Sequence, residues 1–150
     1  MTILEAQGVS KIYETRGVET RALEGIDLVI DEGEFTALAG PSGSGKTTLL
    51  NLLGALDEPT AGRVRLDGEN LADLGPAKLS ELRLRKLGFV FQAYNLIPVF
   101  SAAENVEFVM ELQGIPAAER RKRATELLAQ VELEGLGDKR PLEMSGGQQQ

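Results

Sequence analysis

Residues 40–47 read Gly-Pro-Ser-Gly-Ser-Gly-Lys-Thr and match the phosphate-binding loop pattern G-x-x-x-x-G-K-[ST]. The glycines let the backbone approach a phosphate group and adopt dihedral angles that a Cβ would forbid. Successive backbone N–H groups can then surround an anion, while Lys46 supplies a positive charge and Thr47 a hydroxyl for Mg²⁺. The residues expected to bind a nucleotide here are Gly40, Pro41, Ser42, Gly43, Ser44, Gly45, Lys46, Thr47 and Thr48.

The segments on either side of this phosphate loop (residues 40–47) fit the same prediction. A phosphate loop follows a buried strand and opens a helix, whose N-terminal dipole adds to the anion site. The apolar run Phe35–Ala39 has strand length, and Thr47–Leu56 carries leucines at helical spacing. A dinucleotide-binding fingerprint is the competing interpretation, but it requires a third glycine where Thr48 stands. The pattern therefore predicts an α/β nucleotide-binding fold.

Composition limits the classes of protein to which the chain can belong. Its 150 residues, 42% of them hydrophobic, are enough for one globular domain with a core. The absence of cysteine excludes disulfides and thiolate metal sites, and the absence of histidine removes the commonest general base. No apolar run is long enough to span a bilayer and no signal peptide is recognisable, which predicts a cytoplasmic location. The net charge of −7 argues against a nucleic-acid partner.

Hydrophobic patterning predicts a β-rich first part of the chain. Strands are expected at Ile3–Ala6, Val9–Tyr13, Ile26–Ile30, Phe35–Ala39, Val64–Leu66 and Leu87–Phe91. Within Ile26–Ile30, the side chains of Ile26, Leu28 and Ile30 form an apolar face, and Asp27 and Val29 lie between them. Turns are expected at Asp31–Glu34, Asp57–Gly62 and Asp67–Gly68.

The later part of the chain is predicted to be helical. A short helix is expected over Ala77–Lys86, and Ser101 with Glu104 forms a capping-box pattern that opens a second helix. Pro116 suits the first turn of a third helix, whose apolar face would hold Ala124, Leu127, Leu128 and Val131. The expected segments are a β-rich edge with the nucleotide-binding core over residues 1–92, a helical subdomain over 93–144 and a separate motif over 145–150.

That last motif reads Ser-Gly-Gly-Gln-Gln-Gln and follows Met144. Alone it is a short match that a polar loop would also give. Placed downstream of a phosphate loop, with Gln92 between them, it resembles the order of motifs in ATP-binding cassette (ABC) ATPases. Met144 stands where that family has leucine, a change of similar volume. The stretches Gly88–Pro98 and Glu104–Val106 are similar to lipoprotein-releasing and macrolide-export transporters, and they do not separate these two branches.

The resemblance implies a P-loop core with an antiparallel β subdomain and an α-helical subdomain, which binds ATP and Mg²⁺. Tyr13 takes the place of the aromatic residue that stacks on adenine, and Gln92 that of the glutamine that touches Mg²⁺ and the attacking water. Lys46 and Gln92 are then the catalytic residues of this chain, and Thr47 and Gln92 its Mg²⁺ contacts. The signature loop, Ser145–Gln148, would begin a helix and contact the γ-phosphate of ATP held by a second copy. Its contacts would come from Ser145, Gly146, Gly147 and Gln148.

The resemblance also implies partners and a missing part. A homodimer sandwich would drive an integral membrane permease, so the chain would lie at the cytoplasmic face of the inner membrane. In the family, the Mg²⁺-binding aspartate, the catalytic glutamate and a histidine follow the signature motif. Residues 1–150 are therefore expected to bind ATP without hydrolysing it efficiently. The alternatives are a soluble ABC ATPase of translation or DNA repair, and a phosphate-loop kinase or other NTPase that does not form a sandwich.

Two other stretches resemble functional motifs. Leu28–Glu32 is apolar and ends in Asp-Glu, as a catalytic strand would, but Phe35–Ala39 spans roughly 17 Å between it and the phosphate loop. Asp31 and Glu32 are therefore interpreted as turn residues. The basic run Arg120–Arg123 is flanked by glutamates on one helix, which favours a solvated face.

The apolar stretch Tyr94–Phe100 has two open explanations. It could pack internally, or it could form part of the groove that receives a coupling helix of the permease in the resembling family. Partial burial is expected for Leu96 and Phe100.

Overall fold

The computed structural model describes all 150 residues, which form two compact units, Met1–Arg83 and Leu84–Gln150. The first unit contains an antiparallel sheet and the helix that follows the phosphate loop, and the second is built from short helices. The segment bounds predicted from the sequence, at residues 92 and 144, stay a prediction. None of the helices combines the length and the apolar composition needed to cross a membrane.

The sheet of the first unit has four antiparallel strands in the order β2-β1-β3-β4. They are β1 (Thr2–Thr15), β2 (Val18–Asp31), β3 (Ala61–Leu66) and β4 (Glu69–Asn70). The two short strands predicted at the start of the chain form one 14-residue strand, β1, whose pairing with β2 contains several register shifts. Arg16–Gly17 and Asp67–Gly68 make the hairpin turns, and both residues of each turn have positive φ, as type I′ turns require.

The core of this unit lies between the sheet and α1 (Lys46–Leu53), which contacts β1 and β2. The predicted alternation in β2 is confirmed, because Ile26, Leu28 and Ile30 are half-buried. Asp27 and Val29, between them, are exposed. A 3-10 turn at Leu71–Asp73 and α2 (Pro76–Lys86) follow the sheet. The buried apolar side chains of this unit are Ala6, Val9, Leu23, Leu49, Leu52, Leu53, Ala55, Val64, Leu66 and Leu71.

Two predicted strands do not form. Phe35–Ala39 has no regular secondary structure, and Phe35 is 97% exposed. Leu87–Phe91 is also irregular, and Val90 is 93% exposed. A strand needs a neighbour for its backbone N–H and C=O groups, and the sheet contains no strand that pairs with either segment. Both segments are apolar, as the sequence shows, but neither has a neighbouring strand in the structure with which to pair.

The second unit is built on α3 (Ala102–Leu112) and α4 (Ala117–Gln130), which pack against each other. The predicted capping box is confirmed, since the Glu104 N–H donates to Ser101 Oγ at 3.2 Å and the Ser101 N–H donates to the Glu104 carboxylate at 2.7 Å. Pro116 is the N-cap residue of α4, one position before the first turn that was predicted for it, and forms no side-chain cap. A 3-10 turn at Pro141–Glu143 and the short α5 (Gly146–Gln149) complete the unit.

The core of the second unit is small and includes the residue that precedes the signature loop. Its buried cluster is Ala102, Ala103, Leu128 and Met144, with Val106 and Leu133 packed against it. Met144 therefore fills a core position, as a residue of leucine-like volume can. The apolar face predicted for α4 is only partly buried, because Ala124 and Leu128 are buried whereas Leu127 and Val131 are exposed.

The basic run on α4 is paired with carboxylates. The ion pairs are Arg120–Glu107, Arg120–Glu111, Arg121–Glu107, Arg121–Asp138, Lys122–Glu126 and Arg123–Glu119. The prediction of a solvated face fits Lys122, whose side chain is 77% exposed. It does not fit Arg120, which is 18% exposed and reaches α3.

Candidate functional site

The backbone of the phosphate loop adopts conformations that favour glycine at two positions. Gly43 and Gly45 have φ values of 80° and 86°, in the left-handed region where side chains are strained. A Cβ on Gly45 would also lie 2.5 Å from the Ala22 carbonyl oxygen and 2.8 Å from a Leu23 methyl group of β2. Gly45 is therefore required both by its dihedral angles and by its close approach to the sheet. This approach places the start of α1 against β2.

Lys46 folds back over the phosphate loop that precedes it. Its ammonium group donates to the carbonyl oxygens of Gly40 at 2.8 Å and Pro41 at 2.7 Å. A third contact, to Ser44 Oγ, is 3.4 Å long. The positive charge is thus held at the mouth of the loop by neutral acceptors and is not paired with a carboxylate.

The N-terminus of α1 keeps its backbone donors available. Its N-cap, Gly45, has no side chain that could accept a hydrogen bond, and the first turn contains no acidic residue. The first N–H groups of a helix have no intrahelical acceptor and carry a partial positive charge. Together with Lys46, these N–H groups form a positively charged, glycine-lined cradle whose donors suit a polyphosphate ligand. The Thr47 side chain is exposed beside this cradle.

Tyr13 lies near the start of α1, and its side chain contacts two charged residues, Lys11 and Asp57. Its hydroxyl donates to the Asp57 carboxylate at 2.8 Å, and the Lys11 ammonium lies 4.9 Å from the centre of its ring. Lys11 also donates to Asp57 at 2.7 Å. The Thr48 side chain of α1 is close enough to the Tyr13 hydroxyl to influence its pKa.

This cluster of Lys11, Tyr13 and Asp57 shifts the pKa values of two of its members. The hydrogen bond to Asp57, with burial and the carboxylate charge, raises the pKa of Tyr13 above its usual value. Burial alone would raise the pKa of Asp57, but the hydrogen bonds from Lys11, Tyr13 and the Glu58 N–H outweigh it, so the pKa is lowered. The carboxylate is therefore held in its charged form as the acceptor of three hydrogen bonds.

The remaining predicted site residues belong to the second unit. Gln92 is exposed in an irregular segment. Ser145 is the N-cap of α5, which confirms that the signature loop begins a helix. Its Oγ accepts from the Gln148 N–H at 3.3 Å, and the Gln148 side chain accepts from the Ser145 N–H at 2.9 Å. Gly146 and Gly147 form the exposed first turn.

Tyr94 adds a contact that the sequence did not predict. A Cβ built on Gly146 would lie 3.0 Å from the Tyr94 hydroxyl, so this tyrosine lies against the signature loop. The expected partial burial of Leu96 and Phe100 is confirmed, and Phe100 packs edge to face on Phe108 of α3 at 5.8 Å.

The structure thus brings Tyr13 and the start of α1 together, and places Gln92 and the signature loop in the same unit. Sequence reasoning missed Lys11 and Asp57. The spacing of Lys11 and Tyr13, two residues apart on one strand, was the available signal, because such residues share a face. Nothing local indicated Asp57, which comes from the turn after α1.

Comparison with known proteins identifies the family. A family model described as ABC transporter matches residues 23–150. The chain belongs to the ABC transporter family. An ABC transporter ATP-binding protein of Thermotoga maritima is 50% identical over 151 residues, covering 99% of this chain and 63% of that protein. The macrolide export ATP-binding/permease protein MacB of Brucella abortus is 49% identical over 148 residues, covering 99% of this chain and 23% of that protein.

A lipoprotein-releasing ABC relative and a solved structure agree with this assignment. The lipoprotein-releasing system ATP-binding protein LolD of Chromohalobacter salexigens is 44% identical over 148 residues, covering 99% of this chain and 62% of that protein. The ATP-binding cassette MJ0796, in a dimeric post-hydrolysis structure with ADP and Pi, superposes with a TM-score of 0.91 at 43% identity. That match covers 98% of this chain and 65% of the cassette.

These matches confirm the predicted fold class, an ABC ATPase core with an antiparallel sheet and helices. The chain spans less than two thirds of the length of the relatives and of the cassette that it matches.

Proposed function

We propose that this chain is the nucleotide-binding part of an ABC transporter ATPase, which uses MgATP to drive export or lipoprotein release through a membrane permease. The observation that carries the proposal is the start of α1. There Lys46 is held on neutral loop carbonyls, and the helix has neither a side-chain cap nor an acidic first turn. Such a terminus binds anions through its backbone donors and its dipole.

The residues present fit ATP with Mg²⁺. The phosphate loop would hold the phosphates through its backbone N–H groups and Lys46, and Tyr13 would stack on the adenine. Mg²⁺ takes few protein ligands and completes its shell with phosphates and water. The exposed Thr47 hydroxyl fits that pattern, and Gln92 is the second contact that we assign. ATP supplies the phosphoryl group, and the protein contributes positioning and charge stabilisation.

A second copy of the chain would complete the site. The cassette MJ0796 has been solved as a dimer with ADP and Pi, and its likeness to this chain supports a homodimer. We assign Ser145, Gly146, Gly147 and Gln148 to the γ-phosphate of ATP held in the partner copy. The Ser145 hydroxyl can keep accepting from the Gln148 N–H while it donates its own proton to a phosphate.

The membrane partner is supported by the relatives. One is named an ATP-binding/permease protein of macrolide export and another an ATP-binding protein of a lipoprotein-releasing system. These names favour a transporter ATPase over the soluble alternative. We therefore place the chain at the cytoplasmic face of the inner membrane, attached to its permease. The two kinds of relative have similar sequence identity to this chain, 49% and 44%. Identifying the permease would therefore distinguish export from lipoprotein release.

Nucleotide titration of the 150-residue chain tests the binding part of this proposal. Calorimetry should show MgATP binding, and Lys46→Ala should weaken it about 10- to 100-fold, as expected for the loss of a charge-assisted contact. Lys122→Ala, in the second unit, is the matched control and should leave the affinity unchanged. Equal affinities of the wild type and Lys46→Ala would refute the assignment of the phosphate loop.

Hydrolysis provides a second test. We propose that residues 1–150 lack the family's Mg²⁺-binding aspartate and catalytic glutamate, so this chain alone should show negligible steady-state turnover. Sustained phosphate release by the purified 150-residue chain, abolished by Lys46→Ala, would show that this part of the proposal is wrong. Co-purification of the protein with a membrane permease tests its role in transport.

A further inference from the structure

The Asp57 carboxylate connects the strand that carries Tyr13 to the turn that follows α1. One oxygen accepts from Lys11 at 2.7 Å and from the Glu58 N–H at 2.8 Å. The other oxygen accepts from the Tyr13 hydroxyl at 2.8 Å. The Asp57 N–H itself donates to the Asn51 carbonyl of α1 at 3.3 Å. The tip of the Tyr13 ring is therefore tied to the helix that begins at the phosphate loop.

Lys11 contacts the face of the same ring. Its ammonium group lies 4.9 Å from the ring centre, within the range of a cation–π contact. It also donates to the Glu58 carbonyl oxygen at 2.7 Å, and its side chain is only 12% exposed. Lys11 is therefore an anchored group that can cover one part of the ring. Tyr13 remains 38% exposed, which leaves ring surface for a ligand.

We propose that Asp57 and Lys11 are positioning residues that hold the Tyr13 ring in the orientation for stacking on the base of the bound nucleotide. The proposal rests on the function proposed above, in which Tyr13 contacts adenine and the phosphate loop binds the phosphates. An aromatic side chain on an exposed strand has two free torsions, and fixing them beforehand reduces the entropy lost on binding. A hydroxyl tied to Asp57 and a face covered by Lys11 fix both.

The proposal separates two parts of the affinity for ATP. Stacking on the base should depend on Asp57 and Lys11, whereas phosphate binding should not. Inorganic tripolyphosphate, which has no base, reports the phosphate part alone. The decisive comparison is therefore the affinity of each variant of the full chain for MgATP and for magnesium tripolyphosphate, measured by calorimetry.

Tyr13→Ala should weaken MgATP binding about tenfold, the scale of one base–aromatic stack. Asp57→Ala and Lys11→Met should each weaken it about three- to tenfold, and all three variants should bind tripolyphosphate like the wild type. Asp73→Asn is the matched control, because it removes an exposed carboxylate from the same unit. Asp57→Ala combined with Tyr13→Ala should be no weaker than Tyr13→Ala alone, since a positioning residue acts only through the ring.

Three results would overturn the proposal. Wild-type MgATP affinity in Asp57→Ala and Lys11→Met would show that the ring needs no support. Equal losses for MgATP and tripolyphosphate would show that Asp57 stabilises the phosphate loop or the fold. Additive losses in the double variant would show that Asp57 acts independently of Tyr13. Failure of the function proposed above looks different, because Lys46→Ala would then change neither affinity.

A spectroscopic measurement checks the contact itself, even if Asp57→Ala folds poorly. The chain has two tyrosines and no tryptophan, so in a Tyr94→Phe background the phenolate absorbance reports Tyr13 alone. The hydrogen bond to Asp57 raises the pKa of Tyr13, and Asp57→Asn, which removes the carboxylate charge, should lower it towards the usual value. An unchanged titration would show that the Asp57 contact is not made in solution and would overturn the proposal.

Discussion

The helices that follow the phosphate loop and the signature loop begin in opposite ways. α1 begins after Gly45, which has φ of 86° and offers no side-chain acceptor to the helix N–H groups. α5 begins after Ser145, which forms a complete capping box with Gln148. The first terminus leaves its donors without a side-chain acceptor, whereas the second satisfies two donors through its own side chains. Glycine and serine at the N-caps of similar short motifs therefore leave the helix N–H groups without a side-chain acceptor in one unit and form a capping box in the other.

The glycines of the two loops also differ, because Gly45 has a positive φ and close neighbours whereas Gly147 has neither. Substituting Gly45 should therefore give the largest change in stability. Gly45→Ala should lower the free energy of unfolding by about 2 to 5 kcal/mol, because left-handed strain adds to overlap with the Ala22 carbonyl. Gly147→Ala should be neutral or stabilising by up to about 0.5 kcal/mol, since its Cβ would meet nothing within 4 Å and alanine favours a helix. Urea unfolding monitored by circular dichroism measures both.

Gly43→Ala separates the two causes of the Gly45 effect. Its φ is 80° but its Cβ would meet nothing within 4 Å, so only the left-handed strain of about 1 to 2 kcal/mol is expected. If Gly43→Ala and Gly45→Ala are equally destabilising, the close approach to β2 does not contribute. If Gly147→Ala is as harmful as Gly45→Ala, the contrast between the two loops is wrong.

The cap of α5 should give an intermediate effect. Ser145→Ala removes the acceptor of the Gln148 N–H and should cost about 1 kcal/mol of local helix stability. Hydrogen exchange of the Gln148 amide should then become about fivefold faster, while amides of α1 are unchanged. Ser145→Asp, which preserves an acceptor, is the matched control and should restore protection. Wild-type protection in Ser145→Ala would mean that the capping box contributes no stability in solution.

The same contrast shows what sequence reasoning could establish. The helical start after Gly45, the Ser101–Glu104 capping box and the helical start at Ser145 depend on neighbouring residues, so their sequence patterns were sufficient. Strand formation at Phe35–Ala39 depends on a pairing partner, and apolar composition does not provide one. The cluster of Lys11, Tyr13 and Asp57 joins residues more than forty positions apart. Such contacts follow from the fold and were therefore missed.

The smallest effect is expected from substitution of Glu32. This substitution tests whether an acidic side chain outside the phosphate loop influences nucleotide binding at the start of α1. The predicted turn is confirmed for Glu32, an exposed turn residue whose N–H donates to the Met1 carbonyl at 2.8 Å. The prediction is wrong for Asp31, which is the last residue of β2 because it pairs with Thr2 of β1. Asp31, beside it, is held by the Thr2 hydroxyl at 3.1 Å. Glu32→Gln changes only the side-chain charge, so MgATP affinity and any turnover should equal those of the wild type. Glu19→Gln, in the exposed end of β2, is the matched control for loss of one surface charge. A fall in ATP affinity or turnover for Glu32→Gln alone would mean that Leu28–Glu32 takes part in nucleotide binding or catalysis, contrary to its interpretation as a strand end and turn.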